Sequence, residues 1–270
     1  WTALQMLGLI GHTIGGREYQ LTERGQRLRA VAHEGADVLS FDEQRLFREG
    51  MLADVQIWQN FLCLFTGTTI PTANPTVGTK VAFVPVDGAY EIRSAWLVQP
   101  TRLDARVVFA LIWGLRRWGQ QCGVLDEIYP PVTAESHELG TAYMYLLDPE
   151  HEHNLTVNDV PGWLHTYQST AQSISPSVNQ YRLPALIEAV CVGEGLRLAT
   201  VQTLLHEWLQ QYPMVAAIER PSSGLVMQQF NRRDRQPAGH NQPWIVVDGL
   251  IYTKLLVRMD RLILEGVPHV

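Results

Sequence analysis

The sequence predicts an α+β fold, assembled from small helix-and-hairpin units around a mixed helical and β central segment. Three observations carry that expectation. The stretch LGLIGHTIGGREYQLTERGQRL, Leu7 to Leu28, reads as strand, glycine turn, strand and capped helix. Leu183 to Phe230 reads as helix, turn, helix, hairpin. Between them, short β-rich runs alternate with loops rich in Pro, Gly and Asn.

Taken in order, Thr2 to Leu9 carries apolar Leu4, Met6 and Leu7 before Gly8, the pattern of a helix end. Leu9–His12 and Arg17–Leu21 are expected as strands joined across Ile14-Gly15-Gly16, since paired glycines permit the positive φ of a tight hairpin. Thr22 is a suitable N-cap, and Leu28, Val31 and Ala32 share one face of the helix it would start. Ser40 and Glu43 have capping-box spacing and open a second helix through Leu46 and Phe47. Trp58, Phe61, Leu62 and Phe65 then make an apolar helical stripe, best read as core. Thr66 to Thr79 is a loop and a candidate boundary. KVAFVPV and YEIRSAWLV are expected strands about Asp87-Gly88, Asp104 to Gln121 an amphipathic helix, and AYMYLLDP a strand. His151 to Gln180 is polar and turn-rich, a second boundary in the form of a surface loop. Helices at Leu183–Val192 and Arg197–Tyr212 follow, with Leu198, Val201, Leu204, Leu205, Trp208 and Leu209 together on the second. MVAAIERPSSGLVMQQF predicts strand, turn, strand. The last run offers a strand, an Asp248-Gly249 turn, another strand and an amphipathic end.

The first hairpin and its flanks resemble winged-helix proteins of bacteria and archaea. In these a helix ends in Leu-Gly-Leu-Ile, a hairpin wing follows, and Leu-Thr-x-x-Gly opens the next helix; here the residues are Leu7, Gly8, Leu9, Ile10, Leu21, Thr22 and Gly25. The match spans about thirty residues and is more specific for fold than for function. The C-terminal unit matches by order of elements only. The resemblance implies tandem winged-helix-like units. Residues 1–66 would be an N-terminally incomplete winged helix with a helical extension, 80–150 a mixed α/β segment or degenerate copy, and 180–270 a second unit. Such proteins occur among transcription regulators and accessory subunits of DNA-restriction and phage-defence systems.

Composition narrows the functional classes. An apolar share of 46% and a charged share of 18% suit a chain that buries a core. No apolar run approaches the length of a membrane span, and no basic-then-apolar leader opens the chain, so a cytoplasmic location is the expectation. Trp1 lies inside a helical pattern, so a preceding segment is expected. Cys63, Cys122 and Cys191 are far apart and odd in number, against a disulfide framework or zinc site. The formal charge of −6 disfavours nonspecific coating of nucleic acid, although local basic clusters can still reach phosphates.

The resemblance implies a helix for the DNA major groove and a wing for the backbone. The N-terminal copy offers Thr2 and Gln5 from that helix, Arg17 on the wing, and Arg24, Arg27 and Arg29 after it. The C-terminal helix offers Thr200, Gln202, Thr203, His206, Glu207 and Gln210 but no Lys or Arg. Arg232, Arg233 and Arg235 follow as a second cluster.

Enzymatic motifs are missing. His151 and His153, with Asp148, Glu150 and Glu152 nearby, lack a third metal ligand at a recognised spacing. Asp87 with Glu91-Ile92-Arg93 is too closely spaced for a nuclease pair, and Arg cannot replace a titratable Lys. Gly78-Thr79-Lys80 lacks the order of a phosphate loop. The expectation is a non-enzymatic subunit without cofactor or metal, binding duplex DNA through Gln5, the four N-terminal arginines and the 232–235 cluster, within a regulatory or defence complex. The alternative is a protein–protein adaptor in which both units are scaffolding. A continuous basic face favours DNA; arginines scattered among carboxylates favour the adaptor.

Overall fold

The computed structural model describes residues 4–5, 7–13, 15–16, 18–33, 35, 39–53, 77–87, 89–94, 101–104, 116–129, 143–171, 179–220 and 243–258. The chain mixes helices and strands in an α+β fold and divides into two units. One comprises Trp1–Asp126 with Tyr145–Leu147, the other Glu127–Met144 with Asp148–Val270.

The first unit begins with helical residues 4–5 and the hairpin β1 (Ile10–His12)–β2 (Tyr19–Leu21), paired with Ile10 opposite Leu21 and His12 opposite Tyr19. The strands are shorter than expected, but Thr13 N–H still donates to Glu18 O at 2.9 Å, and Gly15 and Gly16 adopt φ of 118° and 73°. Thr22 caps α1 (Glu23–Val31): its hydroxyl accepts from Gly25 N–H at 3.1 Å and donates to Gly8 O at 2.6 Å. Gly25 is buried, and a Cβ there would collide with the Leu9 carbonyl oxygen. The glycine of Leu-Thr-x-x-Gly is what lets α1 lie against the strand backbone. Gly25→Ala is expected to destabilise the protein by about 1–3 kcal/mol through this overpacking. A denaturation midpoint equal to wild type would show that the helix can shift at no cost.

Helix α2 (Phe41–Ala53) starts on the expected capping box. Ser40 N–H donates to Glu43 Oε2 at 2.6 Å, Glu43 N–H donates to Ser40 Oγ at 3.3 Å, and His33 N–H donates to Glu43 Oε1 at 3.3 Å. These bonds, the Ser40 backbone N–H first, hold the buried Glu43 carboxyl below its ordinary range against the opposing effect of burial. Because its folded-state value is depressed, the stabilisation is present above the usual glutamate range and is lost as pH falls through the lowered value. Acid titration of Glu43→Gln against wild type should show a stability gap at pH 7 that closes in acid. A pH-independent gap would contradict this. The stripe of Trp58, Phe61, Leu62 and Phe65 lies outside the described residues.

Five strands form a sheet in the order β5-β4-β3-β7-β6: β3 (Lys80–Val86), β4 (Ala89–Ser94), β5 (Thr101–Asp104), β6 (Leu125–Ile128) and β7 (Tyr143–Leu146). The turn at Asp87, with φ of 44°, joins β3 to β4 as expected. Two readings need correction. Asp104 ends a strand rather than starting a helix, because Thr101–Asp104 pairs antiparallel with Ala89–Ile92; the described part of the expected helix is residues 116–121. Leu125–Ile128 is a strand that the sequence reading did not assign. Leu125 and Ile128 are fully buried there, after a turn in which Gly123 takes φ of 67°.

In the second unit, the expected polar loop is largely helical. It contains α3 (Pro149–His153), a 3₁₀ turn (Val157–Asp159), α4 (Val160–Thr166) and α5 (Gln168–Ala171). Asp148 and Thr156 supply the caps, while Val160, Trp163, Leu164 and Ala171 reach the core. Strand β8 (Asn179–Arg182), also unassigned from sequence, leads into α6 (Leu183–Glu194), which Gly195 closes at φ of 67°. Then come α7 (Leu198–Gln211), β9 (Ala216–Glu219), the hairpin β10 (Ile245–Val247)–β11 (Leu250–Tyr252), and β12 (Lys254–Val257). The Asp248-Gly249 turn has φ of 51° and 74°, the positive pair that a two-residue hairpin requires. Strand β12 lies between β8 and β9, antiparallel to both. Leu186, Ile187 and Val190 of α6, Val201, Leu205 and Trp208 of α7, and Tyr181 and Leu255 from the sheet form its core.

Candidate functional site

The described arginines of α1 engage different partners. Arg24, half-buried, turns back so that Nη1 donates to Leu7 O at 3.3 Å. Arg27 makes a two-pronged contact with Glu49 of α2, at 3.1 and 3.3 Å. Arg29 is exposed, but it sits two residues from Arg27, about 160° around the helix. The Gln5 amide lies 3.3 Å from His12 Nε2, and the His12 ring stacks at 4.5 Å on Tyr19. Arg17, Arg232, Arg233 and Arg235 lie outside the described residues, as does Thr2.

In the second unit the polar side chains converge on the turn between α6 and α7. Helix α3 has five residues, too short to persist unaided. Its central Glu152, with a side chain 6% exposed, reaches the first turn of α7. It accepts from Arg197 N–H at 3.3 Å and from Arg197 Nη1 at 2.7 Å, and it also takes the Thr200 hydroxyl. An internal carboxylate thus occupies the end of α7 where the helix dipole and free N–H groups attract anions. At the opposite side of the turn, Asp148 N–H donates to Gly195 O at 2.7 Å, and His151 Nε2 lies 3.3 Å from Glu194 Oε2. The other oxygen of Glu194 accepts from Tyr167 Oη at 2.7 Å. Desolvation, then the Glu194 carboxylate, pushes the Tyr167 phenol above its ordinary range, so it serves as a donor. A Cβ on Gly193 would collide with that phenol, which explains the glycine there.

The helical placement of His151 and His153 replaces the expected loop, and i, i+2 residues on a helix do not share a face. Among the described residues no three His, Cys, Asp or Glu side chains gather as a metal site would require. Arg93 Nε donates to Glu91 Oε1 at 2.7 Å, a local ion pair on β4.

Of the residues expected to be displayed on α7, Thr203, Glu207 and Gln210 are exposed. Thr200 and Gln202 have internal duties, Thr200 bonding Glu152 and the Gln202 amide donating to Trp244 O at 2.6 Å, while His206 Nε2 lies 2.9 Å from Gln210 at the surface. Sequence reading weighed Glu152 only as a neighbour of the histidine pair and missed its link to Arg197, which spans 45 residues with no local spacing signal. A charge count could have pointed there. Residues 1–126 hold twelve Lys or Arg against twelve Asp or Glu; residues 127–270 hold nine against fifteen, which accounts for the whole net charge.

No family model, curated protein or solved structure matches the chain. Among the described residues, no helix is long and apolar enough to cross a membrane.

Proposed function

We propose that the chain is a non-enzymatic adaptor: winged-helix-type units used as scaffolding for protein–protein contacts within a larger assembly. The order β8-α6-α7-β9, then the β10–β11 hairpin and β12, with β12 central in its sheet, supports the winged-helix reading of the second unit, although the strand expected after β9 lies outside the described residues. The first unit supports it with helix end, hairpin and capped helix in that order.

One observation carries the choice of adaptor over DNA grip. Glu152 fills the N-terminal end of α7, the helix that would enter a groove, and ties up Arg197, the cation beside it. A phosphate approaching that end meets a fixed carboxylate and, farther along, Glu207 rather than a cation. The scattered arginines of α1 point the same way, since Arg27 is matched by Glu49. Contacts with DNA would then fall to Arg17, Arg29 and the 232–235 cluster.

Titrating the protein into labelled duplex DNA, read by fluorescence anisotropy, tests this. The adaptor reading predicts binding no tighter than about 1 μM at physiological salt, the ordinary nonspecific range. Nanomolar, sequence-selective binding would overturn it in favour of a DNA-binding subunit.

A further inference from the structure

Helix α3 has little apolar hold on its unit. Of its five residues only Pro149 and Glu152 are buried, while Glu150, His151 and His153 are exposed. Three polar tethers fix it to the turn between α6 and α7. Asp148 N–H donates to Gly195 O, Glu152 takes Arg197 and Thr200, and His151 meets Glu194. The first is a backbone bond and the second rests on an arginine, which is charged at any physiological pH. The third differs in kind, because an imidazole gains its charge within the physiological range. Both ends of this third tether are preset. Tyr167 Oη donates to Glu194 Oε1 at 2.7 Å, so Oε2 is the oxygen that faces His151 Nε2 at 3.3 Å. Burial, with Glu194 beside it, pushes the Tyr167 phenol above its ordinary range, so the phenol keeps its proton while it holds the carboxylate. On the other side, His151 N–H donates to Asp148 Oδ1 at 3.0 Å.

We propose that α3 is a pH-responsive clasp, in which protonation of His151 tightens the hold of the short helix on Glu194 at the end of α6. A neutral imidazole with its hydrogen on Nε2 already bonds the carboxylate; protonation makes that bond charge-assisted and roughly doubles its strength. The other charged or titratable groups about His151 are Tyr167 behind Glu194, Arg197 beyond Glu152, and Asp148, Glu150, Glu152 and His153 of its own segment. His153, two positions on, does not share its face of the helix. Pairing with a carboxylate favours the charged imidazole, so the hold is greatest below the ordinary histidine range and is lost as pH rises through it. The two side chains are 42% and 29% exposed, and water screens the pair. Local opening of α3 is therefore only about two- to fivefold rarer on the acid side of that range, the scale of a part-exposed ion pair. Helices α6 and α7, packed through Leu186, Ile187, Val190, Val201, Leu205 and Trp208, do not share this dependence.

The test is native-state hydrogen exchange of the full chain from about pH 5.5 to 8, the span in which histidine changes charge, with each rate divided by its intrinsic value at that pH. In wild type, protection of residues 149–155 should be about two- to fivefold higher at the acid end, while α6 stays level. His151→Gln and Glu194→Gln remove the two charges in turn, and each should level the profile of α3. His153→Gln should keep the wild-type slope. His151 is exposed, so His151→Gln carries the test if Glu194→Gln disturbs the fold. A level wild-type profile overturns the proposal. A slope that survives in His151→Gln overturns it as well, because the pH dependence then belongs to another group.

Discussion

Alanine in place of Trp208 is expected to cost the second unit about 3–5 kcal/mol, the range for emptying a large aromatic site in a packed core. Trp208 is fully buried on α7, among the largest side chains hidden from solvent, with Tyr212 at 6.1 Å between ring centroids. Surrounding helices and sheet can close only part of the space it leaves. The indole has a second property: its Nε1–H is buried with no hydrogen-bond acceptor among the described residues. An unpaired buried donor is a cost that the ring's packing offsets. Trp208→Phe removes that donor along with part of the volume, so its loss should be far smaller, about 1–2 kcal/mol. Urea denaturation followed by far-UV circular dichroism separates the two. Equal losses for Ala and Phe would mean that the N–H has a partner and that the indole is held by polarity rather than volume.

Glu152→Ala is the second large effect. Removing one member of a buried ion pair costs about 3–5 kcal/mol when the remaining charge has nowhere to go. Arg197 is a third exposed and can regain water, so the lower end of that range, about 3 kcal/mol, is expected. The change also frees α3 and uncaps α7. Hydrogen exchange should therefore quicken in residues 149–153 and at the first turn of α7 while α6 keeps its protection. Glu152→Gln keeps an oxygen for Thr200 and the Arg197 N–H but not the charge, and should fall between. If Glu152→Ala costs less than about 1 kcal/mol, a value typical of exposed pairs, the carboxylate is not the organiser of that turn.

What the sequence disclosed follows from the range of the signals involved. Local chemistry was legible. Thr22, the Ser40–Glu43 box and the Asp248-Gly249 turn each depend on residues within three or four positions, and all three form. Long apolar periodicity was legible too, as in α6 and α7. Strands β5, β6 and β8 were missed because four residues carry too little period, and each is defined by its pairing with another strand. The polar stretch around Trp163 concealed short helices, since caps such as Asp148 and Thr156 look like loop residues until the buried face is known. The same reason hid the turn at α6 and α7. Glu152, His151 and Tyr167 are drawn together by tertiary packing, and the i, i+2 histidine pair in a polar stretch suggested a surface loop rather than a helix. Arginine spacing carried no information on partners. Four arginines in thirteen residues read as one cluster, yet on α1 they divide among a backbone carbonyl, a carboxylate and solvent, with Arg17 outside the described residues.

The most direct test of the account is the salt dependence of duplex DNA binding, measured for wild type and for Arg29→Ala. With α7 closed by Glu152, and Arg24 and Arg27 engaged by Leu7 O and Glu49, Arg29 is what remains for phosphates among the described residues expected to contact DNA. The slope of log K against log salt should be shallow, about −1 to −3, corresponding to one to three phosphate contacts, and Arg29→Ala should reduce it by about one. A slope of about −6 or steeper, with tight binding at physiological salt, would mean a continuous basic face and a DNA grip, contradicting the adaptor.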